Sequence, residues 1–83
     1  MIVLTIYSGK NCHLCDKMKS IITGLRKDFT FDLKEVDVKS DIELYNRYNQ
    51  KIPVLFINRK LFAKFSINES RLRDKLSKMQ SDI

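Results

Sequence analysis

Two cysteines three residues apart, Cys12 and Cys15, are the only thiols in this 83-residue chain, with His13 and Leu14 between them. At that spacing one thiolate can attack a disulfide and the other can resolve the mixed disulfide that forms. As a structural staple the pair would close a loop too short to restrain much of the chain. Zinc in a structural site takes four protein ligands, and two thiols plus one histidine reach that number only through a dimer. Covalent haem attachment needs His directly after the second cysteine, where Asp16 stands. An inert pair of cysteines is the remaining alternative.

The elements around the pair favour redox work. Ile2 to Tyr7 is rich in β-branched and aromatic residues, is bounded by Ser8-Gly9, and reads as a buried strand. From Leu14 onward, Leu14, Met18, Ile21, Ile22 and Leu25 recur at helical spacing, and Gly24 is placed to begin closing the helix. The cysteines therefore sit at a strand-to-helix junction. A helix N-terminus has unpaired amides and a partial positive charge, which stabilise a thiolate over a thiol. Such positions lower a cysteine pKa from about 8.5 to about 3.5–7.5. Cys12, at the tip, is the expected nucleophile, and Cys15, one turn in, the expected resolving thiol.

Lys10 puts a cation just before the nucleophile, where it favours the thiolate or attracts an anionic substrate; the plain alternative is a solvated lysine. His13 adds charge when protonated, but an exposed imidazole is mostly neutral at pH 7. Asp16 opposes the thiolate, though it suits the helix start. Pro53 precedes an apolar run, Val54-Leu55-Phe56-Ile57, that reads as a central strand, where proline is unwelcome. A cis Ile52-Pro53 bond would turn the Ile52 backbone toward Cys12 and offer an edge on which an extended substrate pairs. The competing reading is an ordinary edge-strand start.

The other elements follow from pattern. Thr30 to Val38 reads as a strand whose alternation slips between Leu33 and Val36, so a bulge or a late start is expected. Ser40-Asp41-Ile42-Glu43 and Ser66-Ile67-Asn68-Glu69 both fit capping boxes with serine as N-cap. The first opens a short helix with Leu44, Tyr45 and Tyr48 on its apolar face. The second opens a last helix with Leu72, Leu76 and Met79 inward. Asn58-Arg59 is a candidate turn, followed by a hairpin strand from Leu61 to Phe65. The three tyrosines and the phenylalanines are expected to be buried or half-buried. The order is β-α-β-α-β-β-α: an α/β domain over residues 1–83, with a four-stranded mixed sheet and three helices.

Tyr7-Ser8, Cys12-His13-Leu14-Cys15, Val36-Asp37-Val38 and Ile52-Pro53-Val54-Leu55 together resemble the glutaredoxin family of the thioredoxin superfamily. The compact glutaredoxin-like branch with a Cys-His-Leu-Cys motif is the nearest pattern. The resemblance implies a thioredoxin fold and a disulfide oxidoreductase with Cys12 attacking, Cys15 resolving and Pro53 in cis. It also implies glutathione as reductant or as part of the substrate. The departure lies in the hairpin's second strand, where glutaredoxins carry a Gly-Gly pair and this chain has Phe62-Ala63-Lys64-Phe65-Ser66. Side chains at Ala63 and Lys64 would narrow the glutathione groove, or else the Lys64 charge would meet a glutathione carboxylate.

Sixteen basic against ten acidic residues give a net charge of +6, scattered along the chain. That balance alone does not argue for nucleic acid. The N-terminal residues lack the pattern of a secretory signal, and no apolar run reaches membrane-spanning length. The expectation is a cytoplasmic monomer with no membrane partner and no tightly bound cofactor. Its expected partners are a disulfide-containing protein or a glutathione mixed disulfide. Other readings are an electron donor recharged by a flavoprotein reductase, an iron–sulfur module built from two subunits, and a redox-silent binding domain.

Overall fold

The computed structural model describes residues 1–81, so the last two residues of the expected 1–83 domain lie outside it. Four strands and three α-helices follow the expected order. Strands β1 (Val3–Ser8), β2 (Asp32–Asp37), β3 (Val54–Ile57) and β4 (Lys60–Lys64) form one mixed sheet in the order β2-β1-β3-β4. β1 pairs parallel with β2 and antiparallel with β3, and β3 pairs antiparallel with β4. Helices α1 (His13–Gly24), α2 (Ile42–Tyr48) and α3 (Glu69–Ser81) complete the thioredoxin fold.

One face of the sheet carries the core. Leu4 and Ile6 of β1 and Leu55 and Ile57 of β3 meet Met18 and Ile22 of α1 and Leu72 and Leu76 of α3. β3 is buried because it lies inside the sheet, which is why its sequence is an uninterrupted apolar run. On the opposite face Tyr7 meets the rings of Tyr48 and Phe56, at centroid distances of 5.3 and 5.4 Å. Such aromatic pairs contribute about 0.5–1.5 kcal/mol beyond area burial. The Tyr7–Tyr48 contact fixes the end of α2 over β1, and so delivers residues 49–53 to the end of the sheet where α1 begins.

Several boundaries differ from expectation. For β2 the late start is the alternative that holds: it begins at Asp32, ends at Asp37 rather than Val38, and keeps unbroken register with β1 from Val3–Asp32 to Ser8–Asp37, so it has no bulge. The irregularity lies in the hairpin instead: Leu55 faces Ala63 and Phe56 faces Leu61, which leaves Phe62 as the extra residue. Gly24 stays right-handed, and the chain runs on into a 3-10 turn at Leu25–Lys27. Neither serine is an N-cap. Asp41 caps α2 by accepting the amides of Glu43 and Leu44, while the Ser40 hydroxyl donates to the Asp37 carbonyl. Asn68 caps α3 by accepting the Arg71 amide at 3.1 Å.

Asn58 does take positive φ, at 55°, and it clamps the hairpin to β1. Its amide donates to the Val3 carbonyl and its side-chain oxygen accepts the Val3 amide. Among the described residues, no helix is long and apolar enough to cross a membrane.

Candidate active site

β1 ends at Ser8, and the chain turns through Gly9, Lys10 and Asn11 before α1 begins. Asn11 has φ 55°, a left-handed conformation that asparagine tolerates better than most residues. This turn delivers Cys12 as the N-cap of α1, in extended conformation. The Cys12 carbonyl accepts the Asp16 amide, and the Cys12 sulfur accepts the Cys15 amide at 3.1 Å. Sulfur thus takes the place that a serine or aspartate oxygen fills at other helix starts. A negative charge on this atom would meet an amide donor and the positive end of a 12-residue helix.

Cys12 and Cys15 are joined as a disulfide, with Cα atoms 5.2 Å apart. The two sulfurs are not equivalent. Cys12 is half-exposed, whereas Cys15 has no exposed surface and packs inside α1 with Met18 and Ile22. Cys15, Met18, Ile22 and Leu25 are therefore the buried stripe of this segment. Leu14, expected to belong to it, is 47% exposed beside the cysteines. The expected packing of Tyr45 and Phe65 fails in the same way, since both side chains are exposed.

The Ile52–Pro53 peptide bond is cis, and Pro53 is buried. Ile52 reaches the turn before Cys12, because a Cβ built on Gly9 would lie 2.9 Å from Ile52 Cδ1. A side chain at position 9 would therefore have to displace the end of Ile52. The structure brings Cys12, Cys15 and the Ile52–Pro53 segment to one end of the sheet. Lys10 goes elsewhere: it is exposed and lines a shallow polar cleft of about 410 Å³ with Asp16, Glu35 and Asp37 among its walls. His13 is also exposed. Asp16 faces Lys19 at 3.6 Å, an ion pair that offsets part of its charge. Lys19 is held above the ordinary lysine range, first by its hydrogen bond to Glu35 at 3.0 Å.

Among the described residues, no group of three or more His, Cys, Asp and Glu side chains could hold a metal ion. What the arrangement offers chemically is a dithiol: one accessible sulfur, electrostatically favoured as thiolate, and a buried sulfur within bonding reach.

Residues 3–77 match the model of the glutaredoxin-like domain (DUF836). The chain belongs to that family. It is similar to the solution structure of protein Ne2328 from Nitrosomonas europaea, with 26% identity, a TM-score of 0.77 and coverage of 90% of this chain and 91% of that one. The X-ray structure of target protein XcR50 from X. campestris is 28% identical, with a TM-score of 0.70 and coverage of 90% and 96%. A mutant thioredoxin from Halobacterium salinarum has a TM-score of 0.64 at 20% identity, over 93% of this chain and 73% of that one, which speaks to the fold alone. In a glutaredoxin-like thioredoxin fold, the Cys-x-x-Cys pair points to thiol–disulfide redox chemistry.

The hairpin departs from the sequence-based expectation. Ala63 and Lys64 lie in β4, paired with Leu55 and Val54. The residue that adopts a glycine-like backbone is Phe65, just beyond the strand, with φ 67°. Its amide donates to the Pro53 carbonyl at 2.7 Å. Neither Leu14 nor Phe65 stood out as a site residue in the sequence. The available signal was the motif itself, which places Leu14 between the cysteines.

Proposed function

We propose that this protein reduces disulfides of proteins, or glutathione mixed disulfides, with Cys12 as the attacking thiol and Cys15 as the resolving thiol. The observation that carries this reading is the asymmetry of the pair: Cys12 caps the helix and is half-exposed, while Cys15 has no exposed surface. In the reduced protein the Cys12 thiolate attacks one substrate sulfur, forms a mixed disulfide and expels the other substrate sulfur as a thiolate. Cys15 then attacks the Cys12 sulfur, breaks the mixed disulfide and releases the second substrate thiol. Two electrons pass to the substrate, the two thiol protons end on the two products, and the Cys12–Cys15 disulfide remains.

Ile52 offers its backbone to an extended substrate beside Cys12. Glutathione or a flavoprotein reductase closes the cycle by reducing Cys12–Cys15. No cofactor need be tightly bound for this exchange, a monomer suffices, and the cytoplasm keeps a dithiol of this kind reduced.

The test is NADPH consumption with a disulfide-bonded protein substrate, driven either by glutathione and its reductase or by thioredoxin reductase. Turnover in at least one system, abolished by Cys12→Ser, is expected. Absence of Cys12-dependent turnover in both would overturn the proposal. With glutathione the expected behaviour is weak saturation, because each carboxylate contact left unmade costs about 1.5–3 kcal/mol.

A further inference from the structure

Two large apolar side chains stand exposed on one groove that begins at the cysteine motif: Leu14, between the cysteines, at 47% and Phe65 at 45%. A groove of about 140 Å³ separates them, walled by Leu14, Met18 and Ile21 of α1 and by Phe65 and Ile67 after β4, with Lys17 as its one charged lining residue. An apolar cavity of about 150 Å³ accepts benzene, so this groove has room for one side chain of leucine or phenylalanine size.

Phe65 is the least expected part of this wall. Its φ of 67° is a conformation that a bulky residue rarely adopts. The hydrogen bond from its amide to the Pro53 carbonyl holds it there, in direct continuity with the segment that follows Ile52. Strained backbone of this kind concentrates at ligand clamps and active sites. The ring gains little burial in return. Lys17 gives the groove a positive charge, and the exposed Lys64 directly precedes Phe65 in the chain.

We propose that the groove between Leu14 and Phe65 is a specificity subsite, which takes a bulky apolar side chain flanking the reacting cysteine of an extended, acidic protein segment. The inference rests on the thiol–disulfide reading above and names the substrate class for it. Glutathione has no apolar side chain and leaves the groove empty. Phe65, where the Gly-Gly pattern of glutaredoxins fails, thus replaces an open backbone surface with a hydrophobic contact.

Single-turnover reduction of synthetic peptide disulfides tests this. Each substrate is a symmetric disulfide of a short glutamate-containing peptide, with either Leu or Ser at the positions flanking its cysteine. One reduced protein molecule converts one such disulfide to two peptide thiols, counted by chromatography after acid quench. The Leu peptide is expected to react about ten- to hundredfold faster, the range that burial of one such side chain supplies. The Leu-to-Ser ratio should fall toward unity in Phe65→Ala and in Leu14→Ala, and survive in Phe65→Leu, which keeps an apolar wall. Equal rates for the two peptides with the wild-type protein would overturn the subsite. So would a full Leu preference in folded Phe65→Ala and Leu14→Ala, with folding checked by circular dichroism. Failure to reduce either peptide, or a protein disulfide, would instead overturn the redox function itself.

Discussion

The Phe65 amide donates to the Pro53 carbonyl at 2.7 Å, so the residue after the hairpin and the proline before the central strand are held as one unit. That bond places an aromatic side chain where the backbone is left-handed, with φ 67°. If the proposed subsite exists, stability and substrate handling therefore make different demands on position 65.

Phe65→Gly is expected to leave stability within about 1 kcal/mol of the parent. Relief of a left-handed side-chain conformation is worth about 1–2 kcal/mol. Against this stand the lost packing of the ring and glycine's unfolded-state entropy, about 0.5–1 kcal/mol. Urea denaturation measures the balance. A loss well above 1 kcal/mol would show that the ring is a structural element of the fold.

Gly9→Ala separates stability from activity in another way. The new methyl group would meet Ile52 Cδ1 at 2.9 Å, the far end of a flexible side chain, so the fold can adjust at a cost below about 1 kcal/mol. The adjustment moves Ile52, whose backbone the proposed reaction uses to hold the substrate. Turnover should fall several-fold while the denaturation midpoint shifts little. A large destabilisation, or unchanged turnover, would contradict this.

The capping residues provide a purely structural test. Asn68→Ala should destabilise by about 1 kcal/mol, because it frees the Arg71 amide, whereas Ser66→Ala should stay within about 0.5 kcal/mol. Chemical denaturation of the two variants decides which residue starts α3. Equal losses would show that both side chains contribute.

The order of elements, the strand–helix junction at Cys12 and the central place of β3 were legible because each is written in local pattern. Capping was not. Ser40 and Asp41 are chemically suited alike, and only the fold shows that the Ser40 hydroxyl is taken by the Asp37 carbonyl. Leu14 was misplaced because apolar residues at helical spacing offered two overlapping stripes, one through Leu14 and Met18 and one through Cys15, Met18 and Ile22. Cys15, the expected more buried thiol, is also part of the core, so the buried stripe runs one residue further along the helix. Phe65 left no signal, since residue type gives no reason to expect φ 67° there. Lys10 lies near Cys12 in sequence, yet it lines the acidic cleft beside β2.

Alkylation of the reduced protein by iodoacetamide across a pH series, read by mass spectrometry for each cysteine, tests the division of roles between Cys12 and Cys15 most directly. The helix-capping position of the Cys12 sulfur and the burial of Cys15 predict that Cys12 reacts first. Its reactivity should titrate with an apparent pKa below the ordinary value of about 8.5. If Cys15 were labelled first, or Cys12 titrated above about 8.5, the assignment of nucleophile and resolving thiol would be wrong.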